Sequence, residues 1–159
     1  MKVFDIERSV VPALVIAATT AAVIVLAVSL PLYALRAPLW LVVIMLLLFA
    51  GFLPVYFSMR YMIEENGLIL RAWPFKAVIG YKDIKSVELV PGKRYLKLRI
   101  SGISTYGFYF GKFSTVDGMA DVYAGKIKDL VVIKTERKTY AVAPKDIDGF
   151  ISCIKEKLQ

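Results

Sequence analysis

Between Arg8 and Arg60 the chain carries one charged residue, Arg36. A water-soluble core in a protein of 159 residues does not absorb so long an apolar run, whereas a lipid bilayer does if the backbone is helical. Val10 to Leu32 is 23 uncharged residues and Ala37 to Met59 another 23. Each reaches about 34 Å at ~1.5 Å per residue, enough to cross once. Apolar side chains cover the whole circumference rather than one stripe, which separates a span from a buried core helix. Spans at about 10–32 and 37–59 are therefore expected, joined by the turn YALRAP. Arg36 belongs to that turn: at mid-bilayer it would cost about 2.5–3.5 kcal/mol on insertion scales. Pro31 and Pro38 bracket it, and Tyr33 and Trp40 sit where an interfacial aromatic belt would place them. A cleaved signal peptide fits poorly, because the stretch exceeds the usual h-region of roughly 7–15 residues and a stop-transfer pattern follows at Arg60.

Orientation follows from the basic flanks. Lys2 and Arg8 precede the first span and Arg60, Arg71 and Lys76 follow the second, against Arg36 alone in the turn. The positive-inside rule then puts both termini in the cytoplasm and the chain in the cell (plasma) membrane. Ala13, Ala17 and Ala21 recur every four residues on the first span, a small-residue face that permits close helix approach. It suits packing within the hairpin, with Gly51 as a matching notch, or dimerisation between chains. Residues 1–59 thus read as a cytoplasmic tail plus a transmembrane helical hairpin.

After Arg60 the pattern changes to short segments separated by turn signals. YMIE (61–64) and LILRAW (68–73) flank ENG, and Asn66-Gly67 suits the positive φ of a tight hairpin. YLKLRI (95–100) alternates, which predicts Leu96, Leu98 and Ile100 on one face and Tyr95, Lys97 and Arg99 on the other. MADVYA (119–124), DLVVIKT (129–135) and TYAVA (139–143) supply further strands, the last two joined by the charged turn ERK. This is an all-β pattern, pointing to a sandwich or barrel. One helix ends the chain. Ile147, Phe150, Ile151, Ile154 and Leu158 make a single apolar stripe, Pro144 suits its entrance, and Asp146, Asp148, Lys155 and Lys157 complement its dipole. Cys153 borders the stripe as a small core or boundary residue.

Strands followed by one C-terminal amphipathic helix are the pleckstrin-homology plan. Three stretches, YKDIKSVELV (81–90), DVYAGKIKDLVVIKT (121–135) and TYAVAPKDIDGFISCI (139–154), resemble the prokaryotic PH-like domain family, often found behind two membrane spans. The resemblance covers about 60–158 and implies a PH-like domain at 60–159. That is a bent β-sandwich or partly open barrel of about seven strands, closed at one end by the helix. It also implies a binding and scaffolding role rather than chemistry. The paired basic residues across the first hairpin that mark eukaryotic phosphoinositide binders are reduced here to Arg71 and Lys76.

Residues 60–159 carry 18 Lys and Arg against 11 Asp and Glu. A domain starting at the membrane surface holds that charge within a Debye length or so of anionic headgroups. Lys93, Arg94, Lys97 and Arg99 form the densest cluster. They read either as a solvated strand face or as a contact with headgroups or an acidic partner. STYGFYFGKFSTVDG (104–118) places Tyr106, Phe108, Tyr109 and Phe110 on nearly consecutive positions, which cannot all face one core if extended. Those rings either fill the barrel mouth or meet an interface or partner. Several function classes are disfavoured. The chain has no histidine and one cysteine, so an internal disulfide, His-based triads and thiolate zinc sites are out. Asp117 and Asp121 are a carboxylate pair without a supporting motif. No catalytic residue, metal ligand or cofactor is expected, and a membrane anchor argues against nucleic acid as a partner despite a pI near 9.6. A connection as short as LYALRA holds no channel filter. Asn66 and Gln159 are the only side-chain amides, a depletion seen in thermophile proteins. The reading is a cytoplasm-facing PH-like binding module on a membrane hairpin. The alternative is a structural or regulatory subunit whose hairpin packs into a larger membrane complex.

Overall fold

The computed structural model describes residues 2–7, 57–105 and 107–158. The two expected spans lie outside the described residues, except for positions 57–59 of the second, and so do Arg36, the alanine face and Tyr106. Among the described residues no helix is long and apolar enough to cross a membrane.

Two sheets and one long helix make up the rest. The first sheet has the order β1-β2-β3-β4, with β1 at Lys2–Asp5, β2 at Arg60–Ile63, β3 at Gly67–Ala72 and β4 at Phe75–Gly80. The second has the order β5-β9-β10-β8-β7-β6: β5 Ile84–Pro91, β6 Leu96–Thr105, β7 Phe108–Thr115, β8 Gly118–Ala124, β9 Asp129–Thr135 and β10 Thr139–Val142. A one-turn helix, α1 (Gly92–Tyr95), joins β5 to β6, and α2 (Ile147–Leu158) ends the chain. All ladders are antiparallel except β8 with β10. The mainly-β architecture with a terminal helix follows the expectation, with ten strands among the described residues where about seven were implied.

The largest departure is at the N-terminus. Of residues 2–7, expected as a tail, Lys2–Asp5 form an edge strand antiparallel to β2, with Phe4 opposite Tyr61 and Asp5 opposite Arg60. Phe4 and Ile6 are buried, Ile6 bridges Pro144, the Glu7 N–H donates to the Ala143 carbonyl at 3.0 Å, and the Lys145 N–H donates to Asp5 at 2.9 Å. The β-domain therefore takes strands from both sides of the apolar stretch. Met59, expected as the last residue of the second span, is fully buried in the same core.

The core between the sheets holds Phe4, Tyr61, Leu68, Leu70, Val131, Ile133, Val142, Phe150 and Ile154. Strand β9 reads as a continuous apolar run because both its faces are covered. Val131 and Ile133 face the first sheet and α2, while Leu130 and Val132 join a second cluster with Tyr95, Phe113 and Val122. The helix meets its expectation except at its last residue: Phe150 and Ile154 are fully buried, Ile147, Ile151 and Cys153 pack beside them, and Asp146 Oδ1 accepts from the Gly149 N–H at 3.0 Å, while Leu158, expected on the same stripe, is exposed. Two local expectations fail. Neither Asn66 nor Gly67 has positive φ; the glycine is required instead because a Cβ there would lie 2.5 Å from the Ile79 carbonyl oxygen. Strand β6 does not bury Leu98 and Ile100, which are 69% and 53% exposed. It is an edge strand with register shifts between Leu96 and Leu98 and between Arg99 and Ser101, and such bulges break a two-residue alternation.

Candidate functional site

The chain leaves the described fold at Glu7 and re-enters it at Phe57, at one end of the first sheet. Hairpin register fixes what stands there. Arg60 pairs with Asp5 on one side and with Arg71 on the other, and Arg71 pairs with Lys76, so these four residues form one rung across the outer face. All four are exposed, and among the described residues none of them makes an ion pair. Like charges directly opposite one another destabilise a ladder, and here three cations stand in a row.

Beyond the rung lies the β3–β4 turn. The Trp73 N–H donates to Ser58 Oγ at 2.7 Å, which ties the turn to the residue after Phe57. Trp73, Phe75 and Phe57 are about half exposed, at 54%, 52% and 51%. A shallow groove of about 300 Å³ runs past the turn, lined by Met62, Arg71, Trp73, Pro74, Phe75 and Lys76. The acidic residues of the first hairpin, Glu64 and Glu65, occupy its opposite end, about 13 Å from the rung at ~3.3 Å per residue.

The aromatic run of β7 divides between the two cores. Phe108 is buried, Phe110 packs on the inter-sheet core, and Tyr109 lies on the second cluster against Phe113. Phe110 contacts Phe75 at 5.1 Å and Tyr123 at 5.2 Å between centroids, and stacks on Phe108 at 6.3 Å. The described rings thus fill the mouth between the sheets rather than forming an exposed loop, and through Phe75 they support the Trp73 turn.

The basic cluster is split. Lys93 and Arg94 lie on α1, Lys97 and Arg99 on β6; all four are exposed and none forms an ion pair among the described residues. Lys97 and Arg99 alternate with the exposed Leu98 and Ile100 along an unpaired sheet edge. Lys97 and Arg99 sit on the second sheet and the Arg60 rung on the first, with Lys93 and Arg94 on the short helix before β6.

Chemically reactive arrangements reduce to structural ones. Asp117 and Asp121 each have a cation, Lys134 at 2.9 Å and Lys138 at 3.8 Å. Lys134 also reaches Glu88 at 3.5 Å, and its hydrogen bond to Asp117 raises the ammonium pKa. Among the described residues no cluster of carboxylates and cysteine could hold a metal. Tyr61 is fully buried, and its hydroxyl donates to the Tyr123 carbonyl and accepts from the Ala143 N–H at 3.2 Å. Burial holds its pKa well above the usual 10, outweighing the Ala143 bond. That tyrosine is a strut from β2 to the second sheet.

Sequence reasoning missed Arg60, Trp73 and Phe75 as a group. The signal was present: the ENG turn sets Ile63 opposite Leu68, and the same count puts Arg60 opposite Arg71. The sequence model described as Bacterial PH domain matches residues 59–158. No curated protein and no solved structure matches the chain.

Proposed function

Since the chain belongs to the bacterial PH domain family, whose fold is a binding or scaffold module, we propose that it is a non-catalytic PH-like module held at the cytoplasmic face of the cell membrane by a helical hairpin. The hairpin comprises the apolar segments from about residue 10 to 32 and from 37 to about 56. One observation carries this reading: β1 precedes the apolar stretch, β2 follows it, and the two pair residue for residue. Two segments of one β-ladder lie on the same side of any membrane, so the chain between Glu7 and Phe57 crosses an even number of times. Uncharged runs of 23 residues (10–32) and 20 residues (37–56) supply two crossings, and the basic residues cluster on the domain side.

The test uses the full chain with Cys153 replaced by Ser and a thiol placed at Ala34. The protein should stay in the membrane through alkaline carbonate extraction, and an impermeant maleimide should label Ala34→Cys from outside intact cells. Extraction into the carbonate supernatant, or labelling only after lysis, would overturn the anchor or its direction respectively.

What the module binds has one favoured surface. Strand β6 offers an unpaired edge with exposed Leu98 and Ile100 between Lys97 and Arg99, and Lys93 and Arg94 stand just before it. Cations and bulges on an edge oppose self-pairing, while an acidic extended segment would satisfy both the backbone and the charge. This favours a protein partner, including the case in which the chain is a subunit of a larger membrane complex. A stoichiometric partner recovered in mild detergent, and lost with Lys97→Glu and Arg99→Glu together, would support it; recovery unchanged by the double variant would reject the β6 edge as the contact.

A further inference from the structure

Each sheet has two open edges, β1 and β4 on the first and β5 and β6 on the second. Sheet edges are guarded against pairing by shortness, bulges, proline or charge. Strand β1 has only four residues. Strand β5 is bulged between Ile84 and Ser86 and ends at Pro91, and β6 carries two register shifts together with Lys97 and Arg99. Strand β4 has one lysine and none of the other devices. Its six residues run in unbroken register with β3, and Val78 on it is 63% exposed, more than any other large apolar side chain of the first sheet. A groove of about 330 Å³ separates Val78, Ile79 and Asp83 from the β9–β10 turn, so this edge is open to an incoming strand.

The faces and charges of β4 say which strand fits. Lys76, Val78 and Gly80 share the outer face, whereas Phe75, Ala77 and Ile79 turn toward the inter-sheet core. A second β4 laid antiparallel on the first keeps both faces only if the pairing is centred on a residue, since a slip of one position sets outward side chains against inward ones. Centred on Lys76, it sets that ammonium against its own copy, which is repulsive. Centred on Ala77, it sets Lys76 against Val78. Centred on Val78, it sets Val78 against Val78, Ala77 against Ile79 and Lys76 against Gly80. Only the last brings a counter-charge directly opposite the lysine: a Cβ at Gly80 would lie 3.1 Å from Asp83 Oδ2, so the Asp83 carboxylate occupies that place. Neither Lys76 nor Asp83 has an ion-pair partner among the described residues, and Lys76 stands opposite Arg71 within its own chain. We propose that β4 docks on β4 of a second copy of this chain, in a two-fold pairing centred on Val78 and held by reciprocal Lys76–Asp83 ion pairs. The interface is isologous and therefore closes at two copies. Two four-stranded sheets become one of eight strands, and β6, on the other sheet, stays free in each copy, so the dimer offers a partner that edge twice.

The pairing depends on neither the anchor nor the β6 contact, so its failure leaves both standing. The test traps it in the full chain, dilute in mild detergent, with Cys153→Ser and a single new thiol at Val78→Cys. Directly opposed residues hold their Cα atoms ~4.5–5.5 Å apart, within reach of a disulfide, so copper–phenanthroline should convert this variant to a covalent dimer on a non-reducing gel. Val3→Cys and Leu98→Cys, at sites 47% and 69% exposed on the edges β1 and β6, report random collision and should cross-link far more slowly. Lys76→Glu or Asp83→Lys added to Val78→Cys turns two attractions into two repulsions and should slow cross-linking on the order of tenfold. The two changes together restore opposite charges and should restore the rate, a rescue that misfolding of either variant would not produce. Cross-linking of Val78→Cys no faster than of Val3→Cys overturns the dimer. A faster reaction at Leu98→Cys moves self-association to β6 and overturns it as well. Rapid cross-linking at Val78→Cys that both charge changes leave unaltered, or that the double change fails to restore, overturns the Lys76–Asp83 register.

Discussion

Replacing Phe4 by Ala tests whether the segment before the apolar stretch belongs to the domain. Phe4 is 7% exposed, meets Phe150 edge-on at 5.3 Å, and lies opposite Tyr61 in the β1–β2 ladder. Phe150, fully buried, also touches Tyr61 at 5.8 Å, so truncating Phe4 opens a hole under two rings that α2 and β2 hold in place. Buried Phe→Ala changes cost about 3–5 kcal/mol. The residual exposure and the end position of β1 put this one near the lower figure, about 3 kcal/mol. Against a total of about 5–15 kcal/mol that is a large share, and for a domain of this size it lowers Tm on the order of 15 °C. Val3, on the opposite face and 47% exposed, should change stability by no more than about 0.5 kcal/mol when made Ala. The assay is urea unfolding of a chain in which residues 8–56 are replaced by a short Gly–Ser linker, followed by the fluorescence of Trp73, then its only tryptophan. If Phe4→Ala and Val3→Ala both unfold with the parent midpoint, residues 2–7 contribute nothing to the domain and the argument from paired strands to an even number of crossings fails with it.

Two further outcomes follow from the same packing. Tyr61→Phe removes the hydroxyl that joins the Tyr123 carbonyl and the Ala143 N–H, leaving buried backbone groups unpaired, and should cost about 2–3 kcal/mol in the same urea assay; an unchanged midpoint would refute the strut. Burial pushes Tyr123 up to about 12 and raises Tyr61, Tyr81, Tyr95 and Tyr140 above the usual 10. Their neutral forms are favoured by folding, so this stability is fully present below pH 10 and declines as pH rises toward 12, where the unfolded chain holds fewer protons. Melts across that window should show a steep fall that Tyr123→Phe makes shallower, and a flat profile would contradict the burial of these rings.

How much of this was legible in the sequence depended on whether an element's pattern was local. Strands β8, β9 and β10 and helix α2 lie close to their expected limits, because each carries its own periodicity and is bounded by glycine, aspartate or proline. Strand β4 was passed over because Trp73-Pro74 turns the chain in two residues, so LILRAWPFKAVIG reads as one unbroken run. Strand β6 shows the opposite error. Its alternation of Leu and basic residues is genuine, but only Leu96 of the expected face packs on a core; along the bulged edge at 97–101 neither face is covered, so periodicity reported a buried face at Leu98 and Ile100 that does not exist. For the candidate site, the aromatic run was visible and its two possible uses were not separable, since which rings turn inward is decided by Phe75, Tyr123 and Phe113 on other strands. The cationic rung required hairpin register rather than a cluster in sequence: Arg60 and Arg71 are eleven positions apart and become neighbours only once the ENG turn is fixed.

Strand β1 was illegible for a different reason. KVFD is four residues long, too short to announce itself, and its partner lies beyond roughly fifty residues of apolar chain. Ordering each residue costs about 1–2 kcal/mol of backbone entropy, and closing a flexible loop of that length adds a further term that grows with the logarithm of its length. A segment contributing only Phe4 of the strand and the adjoining Ile6 to the core is marginal on those terms. Under the proposed anchor, an antiparallel helical hairpin would change the balance, because helices packed ~8–10 Å apart would hold their outer ends near the ~4.5–5.5 Å separation of paired strands. Ile6 and Glu7 on one side and Phe57 to Met59 on the other cover the difference. On this reading the membrane segment is the turn of a long β-hairpin as well as an anchor. The Glu7 N–H bond to Ala143, the Lys126 ion pair with Glu7 at 2.6 Å and the Ser58 bond to Trp73 then fix both exits to the domain, so any tilt of the domain is opposed at two points instead of one.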